Sequence, residues 1–140
     1  MIKRFFITGL LTTIVNLALH TLAYIFVLKD VYEAFPAGPA EFIRQLQRKP
    51  EELIVWGMVV TSLAMGFLIT IVMKWSGANT ILTGLKSGSL FGFLFWISVN
   101  FGLYASSNFF SLTSVFVDTA LSSTVMTLSA AFAAWMLGRE

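Results

Sequence analysis

The chain has 140 residues, of which 57% are hydrophobic and only 11% charged, with a net charge of +2. Ordinary soluble domains carry about 25% charged residues, so a water-facing surface over most of its length is excluded, and the mean hydropathy of +0.83 points to lipid as the solvent. Cysteine is absent, which removes disulfides, thiolate metal sites, cysteine nucleophiles and lipoprotein acylation.

The opening, MIKRFFITGLLTTIVNLALHTLAYIFVL, sets Lys3 and Arg4 before a run without acid, lysine or arginine from Phe5 to Leu28. A cleavable signal peptide has an apolar region of about 7–15 residues. This run is far longer, and it reads as a retained signal-anchor helix. Thr13, Asn16, His20 and Tyr24 recur along it at three- and four-residue steps, so they share one face.

Residues 29–52 form the one long connection, KDVYEAFPAGPAEFIRQLQRKPEE. Pro36 and Pro39 break it early and Pro50 closes it. Between them Phe42, Ile43 and Leu46 fall opposite Arg44, Gln45, Gln47 and Arg48. That pattern predicts a short amphipathic helix lying on the outer membrane surface, against the alternative of a solvated loop.

A second charge-free run covers Leu53 to Met73, and a third span covers Thr80 to Tyr104. Ser62, Gly66 and Thr70 draw a small-residue line on the second span; Gly84, Gly88 and Gly92 draw another on the third. In lipid such lines let helix backbones approach closely. The short link between these spans predicts that the two lines face each other, the competing use being an oligomer seam. Lys86 stands within the glycine line, about six residues or roughly 9 Å into its helix. With no acid at its depth, it reads as a lipid-headgroup anchor whose stem reaches back to the phosphates, rather than as a substrate or gating lysine.

The fourth span covers Leu112 to Leu137, with Asp118 near its start and Ser122, Val125 and Ser129 on one small-residue face. Four runs of about 20 apolar residues match the thickness of a bilayer. The expected fold is therefore all-α, a polytopic membrane protein with four transmembrane helices in a bundle and one interfacial helix between the first two. An even number of spans puts both termini on one side. Lys3, Arg4, Lys74, Lys86 and Arg139 mark that side against Lys29, Arg44, Arg48 and Lys49 on the other. By the positive-inside rule both termini are expected in the cytoplasm. Tyr24, Trp56 and Tyr104 fall at one interface, and Phe5, Phe6, Trp75 and Trp135 at the other, as aromatic belts should.

The polar residues place one candidate cluster at similar depths in the outer half: Asn16 and His20 of the first helix, Asn100 of the third, and Asp118 of the fourth. An ionisable group in lipid costs several kcal/mol unless paired. The cluster is therefore either helix-to-helix glue or a ligand- or proton-handling site. A single histidine cannot supply bis-histidine haem ligation within one chain, and no histidine–carboxylate spacing fits a metal. Gly88–Gly92, GSLFG, is not the GxSxG elbow, and there is no P-loop or GxGxxG. No enzyme activity, cofactor or metal is expected. The basic residues are scattered at helix ends, where they meet anionic headgroups, so lipid and not nucleic acid is the expected partner.

The last three spans resemble a family of small bacterial four-helix membrane proteins known only as a domain of unknown function. The likeness lies in Gly77, Thr80, Gly84, Gly88 and Gly92 around the third helix and in Asp118 opening the fourth. In that family the aspartate is commonly followed by glycine and an aromatic, whereas here Thr119 and Ala120 stand. The resemblance implies the four-helix topology and a bacterial inner-membrane setting, and it brings no activity. With little soluble mass and glycine-rich helix faces, the leading expectation is an accessory or structural subunit in a larger membrane complex or homo-oligomer. The alternative is a small transporter or channel with a polar vestibule around Asp118.

Overall fold

A computed structural model describes residues 2–139. Its elements are helix α1 (Ile2–Ala23), a π turn (Tyr24–Leu28), α2 (Lys29–Ala34), α3 (Ala40–Leu46), a 3-10 turn (Pro50–Glu52), α4 (Val55–Trp75), α5 (Ile81–Ser106) and α6 (Leu112–Gly138). No strand occurs among the described residues. Four helical stretches are long and apolar enough to cross a membrane.

The first of these corrects the expected loop boundary. α1, the π turn and α2 run on as one helix of 33 residues to Ala34, so the connection begins after Ala34 and not at Lys29. Between Gly9 and Pro36 the chain has neither proline nor glycine. Helix ends there because a residue before proline is pushed out of the α region, and Phe35 has φ −127° and ψ 64°.

The other helix ends have equally local causes. α4 closes in a Schellman arrangement: Gly77, at φ +69°, donates its N–H to Lys74 O, and Ala78 donates to Met73 O at 3.1 Å. Ala78 then packs in the same buried cluster as Met73. α5 opens with a reciprocal cap, Thr83 N–H donating to Thr80 Oγ1 at 3.2 Å and Thr80 N–H donating to Thr83 Oγ1 at 3.0 Å. α6 opens with Ser114 N–H donating to Ser111 Oγ at 3.2 Å.

The packing overturns the expected pairing of the second and third spans. α4 and α5 are joined by a tight turn yet touch only slightly. The largest interface is α5 on α6, followed by α1 on α4 and α1 on α6. The small-residue lines explain this, because each is turned to a different partner. A Cβ at Gly84 would lie 2.7 Å from both Ala131 Cα and Ala134 Cβ on α6. One at Gly88 would collide with Ala130 Cβ, and one at Gly92 would reach Ser123 O at 3.0 Å. Gly66 faces α1 instead, where a Cβ would lie 2.6 Å from Thr13 Cα and N. Ser62 is half-buried and donates to Met58 O of its own helix at 2.8 Å.

Of the four long helices, α6 buries the largest share of its length. Its Met126, Ala130, Ala133 and Ala134 meet Ile69 and Met73 of α4 in the apolar core. At the end carrying both termini, Arg4 Nε donates to Met136 O at 3.2 Å, and Arg139 stacks on Trp135 at 3.6 Å.

Two glycines on α5 separate these roles. Gly88→Leu would force a side chain into Ala130 and the Thr127 backbone, and should lower stability by about 1–3 kcal/mol. Gly102 has nothing within 4 Å of a built Cβ, so Gly102→Ala should be neutral or stabilising by up to about 1 kcal/mol. Thermal unfolding in one mild detergent compares the two.

Candidate functional site

The polar residues of α1 and α6 meet in a seam. Asn16 is buried, and its Nδ2 donates to Ser129 Oγ at 3.0 Å. Ser129 in turn donates to Val125 O at 2.8 Å, one turn back on its own helix. Asn16 thus crosses from α1 to α6 at a hydroxyl already fixed in place. Towards the amino end of α1, Thr13, Thr12 and Thr8 are also buried, Thr13 against Gly66 of α4.

Towards the other end the seam reaches His20. Its Nδ1 lies 3.2 Å from Asn16 O. A carbonyl can only accept, so this contact calls for the proton on Nδ1, and in the neutral ring Nε2 then presents a lone pair. That Nε2 is buried without a partner among the described residues, as is the indole Nε1 of Trp96. The two rings lie 5.6 Å apart, centroid to centroid. An unpartnered acceptor and an unpartnered donor therefore sit side by side between α1 and α5.

Asp118 lies half-buried nearly two turns into α6, and its carboxylate accepts from Ser122 Oγ at 2.7 Å. It stands within electrostatic reach of His20 and of the Tyr32 phenol. Tyr32 was not among the residues singled out from the sequence. It lies within the helical extension beyond Leu28, where a loop was expected.

Asn100 does not join Asp118. It is 3% exposed on α5, and its Nδ2 donates to Thr119 Oγ1 at 3.1 Å. The expected cluster therefore separates into three contacts: Asn16 with Ser129, Asn100 with Thr119, and Asp118 with Ser122 near His20. Thr119 is the residue that holds Asn100. The reason for the separation is angular. Asp118 and Thr119 are adjacent, about 100° apart around α6, so one faces the α1 seam while the other faces α5.

Tyr24 leaves the α1 face at the π turn and is exposed. Lys86 is also exposed, on the side of α5 away from the buried Gly84 and Gly88. No group of three or more histidine, cysteine, aspartate or glutamate side chains is placed to hold a metal ion among the described residues.

The Asn16–Ser129 bond can be weighed directly. Measured couplings between polar groups across membrane helices average about 0.6 kcal/mol and reach about 1.7. A double-mutant cycle of Asn16→Ala and Ser129→Ala, read by unfolding in detergent, should give a coupling in that range. The same cycle on Asn16 and Thr119, which do not touch, should give none.

No family model, curated protein or solved structure matches the chain.

Proposed function

We propose that the protein is a non-catalytic integral membrane subunit that packs into a larger inner-membrane complex or into its own oligomer. The observation that carries this reading is the use made of the buried polar groups. Asn16, Ser129, Asn100 and Thr119 all hydrogen-bond across helix interfaces, as does Ser123 to Gly92 O at 3.2 Å. These side chains hold helices together instead of lining a route for solute.

The surface fits the same reading. α4 exposes Val55, Trp56, Val59 and Val60, and α5 exposes Leu82, Leu90, Phe93 and Leu94, apolar faces that suit lipid or a neighbouring helix. The four long helices form a bundle with both termini on the cytoplasmic side, Lys86 reaches the headgroups there, and α3 rests on the opposite surface with Phe42 and Leu46 towards the acyl boundary. The resemblance of the last three spans to small bacterial four-helix proteins is in keeping with this topology.

A second reading, a small transporter or channel, is favoured by one specific observation: Asp118 lies within electrostatic reach of both His20 and Tyr32, beside an unpartnered imidazole nitrogen. Substitution at Asp118 separates the two readings. Asp118→Asn keeps an acceptor for Ser122 and should preserve stability and partner co-purification. In Asp118→Ala, Ser122 can turn to the residue 118 carbonyl one turn back, so the loss should be about 1 kcal/mol, the low end for an unpaired buried group. For a subunit, asparagine is therefore the milder change. If the charge itself handles protons or cations, asparagine and alanine will abolish flux in proteoliposomes alike.

A further inference from the structure

At the end of the molecule remote from both termini, the last turns of the first long helix, α3 and the α5–α6 connection border a cavity of about 600 Å³. Sites for small amphiphilic molecules run from about 300 to 1,000 Å³. Phe35, Ile43, Phe109 and Phe110 supply its apolar wall, while Lys29 and Arg44 stand in that wall against a single carboxylate, Glu33. Two cations and one anion leave one positive charge. Phe35 and Phe109 are each 49% exposed, so the wall offers apolar surface to an occupant.

The cavity is built, not incidental. Ser114 Oγ donates to Phe35 O at 3.2 Å, tying the end of α2 to the first turn of α6. The Tyr32 and Phe110 rings pack at 5.6 Å. The π turn has a specific consequence here. Lys29 N–H donates to Tyr24 O, five residues back. In an α-helix, positions five apart diverge by about 140°. The wider π turn brings them onto nearly the same side, and both Tyr24 and Lys29 line the cavity.

We propose that this cavity binds one anionic phospholipid of the surrounding membrane, its phosphodiester against Lys29 and Arg44 and an acyl chain along Phe35, Ile43 and Phe109. The proposal is independent of the subunit reading. The single net positive charge matches the single negative charge of a phosphodiester. The cavity lies where the apolar spans end, at headgroup level, and Tyr24 and Tyr32 have the amphipathic rings that suit that level. Lipid is the amphiphile present there at high concentration, and it alone joins a phosphate to a long apolar body.

The test uses the full chain in phosphatidylcholine vesicles doped with phosphatidylglycerol that carries a photoreactive diazirine in its acyl chain, followed by peptide mapping. Labelling should concentrate in residues 24–47 and 109–114. A phosphatidylcholine probe with the same chain should label these residues less. Lys29→Gln with Arg44→Gln should cut phosphatidylglycerol labelling roughly thirtyfold, since each of the two surface cations contributes about 1 kcal/mol towards an anionic lipid. Both side chains are exposed, and unchanged thermal unfolding verifies the fold. Ile43→Trp, which fills the apolar wall without altering charge, should reduce labelling by both probes. Labelling spread evenly over α4 and α5, or undiminished in the charge variant, overturns the proposal. So does displacement of the probe by inorganic phosphate, which would make the site a receptor for the anion alone. A peptide-binding groove would leave all lipid labelling weak and insensitive to these substitutions, which also overturns it.

Discussion

The approach of the α5 backbone to α6, along Gly84, Gly88 and Gly92, is the contact on which the remaining packing depends. In lipid, two apolar helices gain nothing by hiding apolar surface from each other, because the acyl chains are equally apolar. What favours contact is close van der Waals fit and the hydrogen bonds that such closeness permits. The three glycines supply the fit, each set against a small residue or bare backbone of α6. Two hydrogen bonds follow from it, since Ser123 reaches the Gly92 carbonyl and Asn100 reaches Thr119 only when the backbones lie close.

α6 has a second side, and that side organises the rest. Its alanines meet Ile69 and Met73 of α4, while Ser129 receives Asn16 from α1. The interior is consequently small and polar in places where a water-soluble protein would be large and apolar, and the large apolar side chains point outward. Trp56 is 74% exposed and Phe116 58%, which would be a liability in water and is the expected arrangement in a bilayer. The end remote from the termini follows a different logic. There the chain leaves the apolar layer, and the π turn, two prolines and a short helix gather aromatic and charged groups around one cavity.

Much of the architecture is legible in the sequence because charge is so costly in lipid. A gap between charged residues marks α4 to within two residues, while α5 and α6, which carry Lys86 and Asp118, are marked as closely by their apolar runs. The first span fails at its far end: Lys29, Asp30 and Glu33 read as the start of a loop, yet charges at a membrane surface do not prevent a helix from continuing, and only Pro36 does. The helix pairings are not legible. A glycine line shows that some backbone comes close, but any small-residue face will serve, and chain proximity favoured α4 when the match lay on α6. Of the polar residues, depth alone grouped Asn100 with Asp118. Depth says nothing about rotation, and the angle between Asp118 and Thr119 on α6 sends Asn100 to the threonine. The π turn has no sequence signature in an apolar run, and Tyr32 lay in what read as a loop.

The claim that α5 is seated on α6, and not on its chain neighbour α4, is open to direct measurement because the protein has no native cysteine to interfere. A Cβ at Gly92 lies 3.3 Å from Met126 Cβ, close to the separation of roughly 3.5–4.5 Å that a disulfide requires. Oxidation in native membranes of a chain carrying Gly92→Cys and Met126→Cys should give rapid, near-complete intramolecular crosslinking. The same Gly92→Cys paired with Ser62→Cys, at similar depth on α4, should give little. Efficient crosslinking of the Ser62 pair with none in the Met126 pair would contradict the account and return the glycine line to α4.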